Sequence, residues 1–234
     1  MKPKVTAIVL AGGKGSRMHS ETPKQYLPLL GKPVLFYSLS AFEQSETDEI
    51  ILVTAKGEEE YCRTEIVEKY GITKVTEIVS GGAERYHSVH QGLLAARGAE
   101  YVLIHDGARP LVSVSVINAS INKVKETNAC VVGMPVKDTI QLVDESGRIV
   151  DTPVRSRTWI AQTPQCFAYE VAVSSYNNAI AAGDTLITDD AMVIRKYADV
   201  DVFMLEGGYE NIKITTPEDI SIAEGFLKKR TGKQ

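Results

Sequence analysis

The chain has 234 residues, enough for one large α/β domain or two small ones with a substantial core. Its formal net charge of −4 excludes a global basic field that would attract nucleic acid or anionic lipid, so any anion site must be local. The longest apolar runs are strand-sized, shorter than the roughly 20 residues of a membrane-spanning helix, so no membrane partner is expected. The cysteines Cys62, Cys130 and Cys166 are widely spaced and indicate a reducing cytoplasm rather than a disulfide framework.

Apolar, β-branched runs alternate with segments of helical spacing along the first part of the chain. Strands are predicted at residues 5–10, 50–54, 75–79, 101–105 and 130–135. Helices are predicted between them at residues 34–42, 58–70, 87–97 and 115–126. Buried strands separated by helices of about three turns predict βαβ units and a mostly parallel sheet. Ligands of such sheets bind outside the carboxyl ends of the strands.

The alternation breaks at residues 137–157, which we call the β-arm. Polar and apolar residues alternate there on both sides of a turn at residues 144–147, which predicts a hairpin. An isolated hairpin is marginal in water, so we expect it to pack on something else, and a second subunit is one candidate. Helices at 171–182 and 189–198, a strand at 202–205 and a closing helix at 217–229 are predicted to follow. Residues 1–234 contain no repeat or linker and predict a single domain with the β-arm as an excursion.

A glycine-rich loop, AGGKGSR, follows the first predicted strand. It is not a P-loop, and it has Met18 where a dinucleotide fingerprint has its third glycine. Two cations, Arg17 and Lys24, flank a loop whose backbone N–H groups suit a triphosphate. Alternatively, the loop is a structural turn and Lys24 a solvated surface lysine.

A second glycine turn precedes the helix predicted at 87–97. Gly82 permits the close approach of a ligand such as a base, Arg85 suits a phosphate, and Ser88 lies near a helix start, where anions bind. The alternative is an ordinary strand-to-helix turn with a solvated arginine.

Asp106 directly follows the strand predicted at 101–105. A lone carboxylate facing a phosphate-binding loop suits Mg²⁺, which takes one or two carboxylates together with substrate phosphates. A turn or N-cap aspartate is the alternative. Arg109 is either a salt-bridge partner of this turn or a substrate contact.

Four residues farther along predict a second polar pocket: Thr139, Arg155, Thr163 and Lys213. Hydroxyls beside cations suit a phosphorylated polyol. The Thr-Pro pairs at 163–164 and 216–217 are equally well explained as helix starts, and the Asp pair at 189–190 as the beginning of a helix.

In their order, these motifs resemble the 2-C-methyl-D-erythritol 4-phosphate cytidylyltransferase family over residues 5–225. The matching stretches are LAGGKGSRM, PKQY, HDGARP, PVKDTI, AQTPQ, TDDA and NIKIT. The resemblance implies a Rossmann-like nucleotidyltransferase fold and cytidylyl transfer from CTP to 2-C-methyl-D-erythritol 4-phosphate in isoprenoid synthesis. It also implies Mg²⁺ as cofactor, a homodimer formed through the β-arm and a cytoplasmic enzyme whose partners are these two small-molecule substrates.

The resemblance assigns a role to each matching residue. Arg17 and Lys24 stabilise charge on the α-phosphate, and Asp106 holds Mg²⁺. The implied nucleotide contacts are Ala11, Gly12, Gly13, Gly15, Gly82, Ser88 and Asp106. Arg85 joins this predicted set because it suits a phosphate. The implied acceptor contacts are Lys213 and, reaching in from the neighbouring subunit, Thr139 and Arg155. Arg109 and Thr163 are predicted as acceptor contacts from their own motifs and not from the resemblance.

Two positions depart from the family pattern. Ala83 stands where many members carry an acidic residue beside the base, and Gln141 stands where a lysine often follows DTI. Two alternative functions remain at this stage. A ribitol-5-phosphate cytidylyltransferase of teichoic acid synthesis tends to carry HDAVRPF where this chain has HDGARP. A non-catalytic nucleotide-binding sensor would not need Lys24 together with Asp106 and Lys213.

Overall fold

The structure, a computed structural model, describes residues 2–13, 18, 20, 22–230 and 232. Gly15 and Arg17, both predicted site residues, lie outside these described residues.

The described strands form one large sheet and two small hairpins. The large sheet contains β1 (Val5–Leu10), β4 (Glu49–Thr54), β5 (Val75–Ser80), β6 (Tyr101–Asp106), β7 (Ala129–Pro135), β10 (Trp159–Ala168) and β11 (Phe203–Glu206). The hairpins are β2 (Pro28–Leu29) with β3 (Lys32–Pro33), and β8 (Leu142–Val143) with β9 (Ile149–Asp151). The second hairpin confirms the one predicted in the β-arm.

The helices alternate with the strands. They are α1 (Val34–Glu43), α2 (Glu59–Tyr61), α3 (Arg85–Ala95), α4 (Val114–Thr127), α5 (Tyr169–Ala181), α6 (Asp190–Tyr197) and α7 (Pro217–Arg230). A π-helix, Cys62–Glu68, continues α2, so the helix predicted at 58–70 has a wider second half. Short 3₁₀ turns occur at Lys24–Tyr26 and Arg155–Arg157.

The strand order of the large sheet is β11-β7-β10-β6-β1-β4-β5. Neighbouring strands are parallel except at β10, which runs antiparallel to both β6 and β7. The predicted α/β class with a mostly parallel sheet flanked by helices is confirmed. The glycine turns after β1 and β5 and the end of β6 therefore meet at one edge.

β10 is a strand that the sequence pattern does not predict. Polar residues and Pro164 interrupt its apolar run, and its register against β7 shifts between Ala161 and Gln165. The Thr163–Pro164 peptide bond is cis and lies within this irregular stretch. The alternative in which this Thr-Pro pair starts a helix is wrong, whereas Pro217 does begin α7.

The central strands of the sheet are buried on both faces, as a parallel sheet requires, whereas the edge strands β5 and β11 are partly exposed. Alternation along β1 sends Val5, Ala7 and Val9 to a core with α1, α4 and the π-helix, and Ile8 to a core with α3, α5 and α6. A third cluster joins α7 to β2 and to the start of α1. Among the described residues, no helix is both long and apolar enough to cross a membrane.

Candidate active site

A cavity of about 830 Å³ opens at the carboxyl ends of β1, β4, β5 and β6. The predicted residues that line it are Ala11, Gly12, Gly13, Lys24, Gly82, Arg85, Ser88, Asp106 and Lys213. Residues from four separate turns and from the segment before α7 thus share one pocket. The topology places it where parallel sheets bind ligands.

Two glycines bring backbone close to the cavity. A Cβ atom at Gly12 would lie 3.1 Å from the backbone carbonyl of Thr54, and one at Gly82 would lie 2.3 Å from the Cβ of His87. A side chain is therefore excluded at Gly82 and would be crowded at Gly12, and the backbone itself lines the pocket. The Gly82 N–H donates a hydrogen bond to Ser88 Oγ at 3.1 Å, which fixes this turn on α3.

The first turn of α3 faces the cavity. Ala83, Glu84 and Arg85 line it, and α3 begins at Arg85. The amino end of a helix carries partial positive charge and free N–H groups, which favour an anion. The backbone geometry thus supports a phosphate-rich ligand beside the glycine loop.

The 3₁₀ turn Lys24–Tyr26 is held at three points. Lys24 Nζ donates to the Ile214 carbonyl at 3.0 Å, and Gln25 Nε2 donates to the Ala11 carbonyl at 2.5 Å. Tyr26 OH donates to Glu58 Oε2 at 2.8 Å. Gln25 therefore couples the glycine loop to Lys24. Its role was not predicted from the sequence, although its position inside the PKQY motif could have indicated it.

Asp106 lies among three cations. Its Oδ2 is 2.8 Å from Lys213 Nζ and 3.8 Å from Arg109 Nε, and its Oδ1 is 3.4 Å from Arg85 Nε. Burial alone would raise the pKa of Asp106, but the charges of Arg85, Lys213 and Arg109 outweigh burial and hold that pKa well below its usual range. Asp106 is an ionised carboxylate throughout the physiological pH range.

Thr163 is buried and joins β10 to the end of β6. Its Oγ accepts the Asp106 N–H at 3.1 Å and lies 2.9 Å from His105 Nδ1. His105 Nε2 lies 3.3 Å from the Arg109 carbonyl, which can only accept, so Nε2 carries the ring proton and the Thr163 hydroxyl donates to Nδ1. Burial lowers the pKa of His105 to about 4, consistent with this neutral tautomer.

Arg85 also binds Asp190, which the sequence analysis treated only as a helix start. Arg85 Nη1 and Nη2 donate to the two carboxylate oxygens of Asp190 at 2.6 and 2.8 Å, and Tyr176 OH donates to the same carboxylate. Asp189 caps α6 by accepting the Met192 N–H at 2.9 Å, which leaves Asp190 turned inward. The two consecutive aspartates in TDDA could have indicated this role in the sequence. One carboxylate is enough to cap α6, so the second is available for another contact.

The remaining predicted residues fall into two groups. Arg109 and Thr163 contact Asp106 but are not among the residues that line the cavity. Thr139 and Arg155 are exposed on the β-arm, outside the cavity of their own chain. Their predicted role therefore depends on a neighbouring subunit.

The donor set suits a metal held mainly by a nucleotide. No group of three or more His, Cys, Asp or Glu residues is placed to hold a metal within the described ranges. Asp106 supplies an ionised oxygen ligand at the cavity wall. Mg²⁺ takes one or two carboxylates completed by phosphates and water. Asp106 offers one such carboxylate, but its oxygens already contact cations, so the fit depends on the phosphates of a bound nucleotide to offset that positive charge.

Comparison with known proteins identifies one family throughout. Residues 5–229 match the model of the family described as IspD: 2-C-methyl-D-erythritol 4-phosphate cytidylyltransferase. Enzymes of that name from Lachnospira eligens and Lachnoclostridium phytofermentans are 51% and 46% identical to the chain, over 95% and 97% of its length and 99% and 97% of theirs.

Solved structures agree with this. The crystal structure of 4-diphosphocytidyl-2C-methyl-D-erythritol synthase from Anaerococcus prevotii has a TM-score of 0.85 and 32% identity, covering 97% of this chain and 96% of that one. The 2-C-methyl-D-erythritol 4-phosphate cytidylyltransferase from Thermus thermophilus has a TM-score of 0.76 and 26% identity, covering 94% and 98%. The predicted nucleotidyltransferase fold is confirmed.

Proposed function

Because the chain belongs to the IspD family of 2-C-methyl-D-erythritol 4-phosphate cytidylyltransferases, we propose that it transfers a cytidylyl group from CTP to 2-C-methyl-D-erythritol 4-phosphate. The products are 4-diphosphocytidyl-2-C-methyl-D-erythritol and pyrophosphate, and the step belongs to non-mevalonate isoprenoid synthesis. The observation that carries the proposal is the shared cavity, in which a glycine backbone, Lys24, Asp106 and Lys213 meet.

The reaction needs no protein nucleophile. An oxygen of the acceptor phosphate forms a bond to the α-phosphorus of CTP, and the bond from that phosphorus to the oxygen bridging the α- and β-phosphates breaks. The electron pair leaves with pyrophosphate. The protein must align two polyanions and stabilise the charge that grows on the α-phosphate. Lys24, held against Ile214 beside the glycine loop, is suited to this role, and Arg17 is its predicted partner.

The acceptor side of the site is electropositive. Arg85, Arg109 and Lys213 surround Asp106, and Arg85 also pairs with Asp190. Excess positive charge beside Thr163 suits the phosphate and hydroxyls of a phosphorylated polyol. We assign Lys213, which lines the cavity, to this substrate, with Arg109 and Thr163 behind it as predicted acceptor residues that contact Asp106.

We propose Mg²⁺ as the cofactor, with Asp106 as its protein ligand. When bound, the ion would supply positive charge that offsets the negative charge of the triphosphate and of the leaving pyrophosphate. The ionised state of Asp106 and its place on the cavity wall support this assignment.

We also propose a cytoplasmic homodimer joined through the β-arm. The arm exposes apolar side chains, among them Leu142, Val143, Ile149 and Val150, which are 47 to 59% exposed. Covering them with a second subunit would bring Thr139 and Arg155 to a neighbouring site. The three buried, unpaired thiols are consistent with a reducing compartment.

Pyrophosphate release tests the function directly. The purified protein is incubated with CTP, Mg²⁺ and either 2-C-methyl-D-erythritol 4-phosphate or ribitol 5-phosphate. Release is expected with the first acceptor. A preference for ribitol 5-phosphate would contradict the proposal and favour the ribitol-5-phosphate cytidylyltransferase. No pyrophosphate release with either acceptor would favour the nucleotide-binding sensor.

A further inference from the structure

Asn211 is buried where the segments that carry the acceptor residues meet. Only 4% of it is exposed, and it lies two residues before Lys213 in the segment that leads to α7. We propose that Asn211 is a positioning residue that sets the acceptor side of the site. This inference rests on the proposed function.

The side chain of Asn211 ties this segment to β10. Its Nδ2 donates to the Thr163 carbonyl at 2.9 Å and to Gln162 Oε1 at 3.2 Å. Gln162 Nε2 in turn donates to the Gly208 carbonyl at 2.9 Å, and the Asn211 N–H donates to the same carbonyl at 3.0 Å. The Asn211 amide thereby completes a hydrogen-bond network between β10 and the segment that follows β11.

The backbone of Asn211 holds a second acceptor residue. Its carbonyl accepts a hydrogen bond from Arg109 Nη1 at 2.8 Å. Two residues later Lys213 reaches Asp106, and the Ile214 N–H donates to the Ala108 carbonyl at 2.8 Å. A shift of Asn211 would therefore move Arg109 and Lys213 together with respect to Thr163.

An aspartate cannot replace this amide. Nδ2 points at two acceptors, the Gln162 amide oxygen and the Thr163 carbonyl, which would both face a carboxylate oxygen instead. Asn211 Oδ1 is buried and has no hydrogen-bond partner among the described residues, so nothing there would solvate the added charge. The Asn211→Asp variant is nearly isosteric, so it removes the donor and adds a charge while keeping the volume, whereas Asn211→Ala removes the amide without adding a charge.

Asn211 bonds directly to Thr163 and Arg109 on the acceptor side. Lys24 and Asp106 are linked to it indirectly, through Ile214, Thr163, Arg109 and Lys213. The glycine turn at Gly82 has contacts of its own. Gly82 and Ser88 are bonded to each other and to α3. We therefore expect Asn211→Ala and Asn211→Asp to raise KM for 2-C-methyl-D-erythritol 4-phosphate about tenfold or more, with KM for CTP changed less than about twofold. A general loss of packing would instead reduce kcat or the folded fraction without favouring one substrate.

The experiment measures both KM values, kcat and Tm for the full chain. Asn118→Ala is the matched control, because Asn118 Oδ1 accepts the Glu46 N–H at 2.9 Å in a purely structural contact on α4. It is expected to lower Tm and leave the ratio of the two KM values unchanged. If the Asn211 variants do not fold, Gln162→Met removes one of the acceptors of Nδ2 and should raise the same KM.

A proportional rise in both KM values, a pure loss of kcat, or wild-type kinetics would overturn the positioning role. Wild-type turnover is measured first with 2-C-methyl-D-erythritol 4-phosphate. An inactive wild-type protein would refute the proposed function itself, which is a different result from an active protein with unselective Asn211 variants.

Discussion

Arg85 and Asp190 form a bidentate ion pair between α3 and α6, with N–O distances of 2.6 and 2.8 Å. Asp190 is fully buried, whereas the Arg85 side chain is 30% exposed and lines the cavity. The buried Asp190 carboxylate therefore holds Arg85, the first residue of α3, in place from the protein interior. It leaves the Nε edge of Arg85 directed towards Asp106.

Removing one partner of this pair should be costly. Asp190→Asn is expected to destabilise the protein by about 3 kcal/mol, at the lower end of the range for a broken buried pair because Arg85 is partly solvated. Urea unfolding followed by circular dichroism measures the difference. Asp189→Asn is the matched control, since asparagine caps a helix as well as aspartate does. Equal unfolding midpoints for the two variants would show that the ion pair contributes little.

Lys24 is expected to act on the rate rather than on the fold. Lys24→Ala should lower kcat about 10²- to 10³-fold, the usual loss when one group that stabilises transition-state charge is removed. Arg17→Ala is expected to behave similarly on sequence grounds. Lys69→Ala removes an exposed lysine paired with Glu65 and serves as the control. Near-normal turnover of Lys24→Ala, with an unchanged Tm, would remove Lys24 from the mechanism.

The proposed action of the β-arm in trans can be tested by complementation. Lys24→Ala and Arg155→Ala chains are each expected to be poorly active. After unfolding and refolding them together, half of the dimers are mixed, and each mixed dimer has one intact site. About a quarter of the sites should therefore recover activity if the arm reaches the partner. Activity no higher than the sum of the separate variants would place Arg155 in its own chain's site or outside any site.

Asp219 should contribute to stability in a pH-dependent way. Burial alone would raise its pKa, but the N–H groups of Thr216 and Thr215 and their hydroxyls lower the pKa of Asp219 overall. A lowered pKa in the folded state means that the stabilisation is complete above the unfolded value of about 3.9 and is lost as pH falls through the folded value.

Unfolding at several pH values tests this. Asp219→Asn should lower stability at pH 7 and flatten the loss of stability below about pH 4. Asp201→Asn, at an exposed position before β11, is the control. A wild-type acid profile in Asp219→Asn would assign the acid sensitivity to other carboxylates.

Local patterns predicted the regular part of the fold. The runs that became β1, β4, β6 and β7 are apolar and β-branched, so burial on both faces dictates their conformation, and the β-branched run of the edge strand β5 was predicted from the same pattern. β10 was not predicted because its polar residues Gln162, Thr163 and Gln165 interrupt the apolar pattern of a buried strand. These side chains are buried because they form hydrogen bonds with Asn211, His105 and the start of α6. These hydrogen-bond partners are distant in the sequence, so no local pattern predicts them.

By itself the sequence determined the α/β class, the glycine turns after β1 and β5 and, through its ordered motifs, the family. These depend on residue type and short spacing, which the chain carries locally. Only the tertiary structure decided that Asp190 faces Arg85 and that Asn211 joins Thr163 to Arg109. Such contacts join residues 48 to 105 positions apart, and buried hydrogen bonds between them exist only once the sheet has brought its strand ends together.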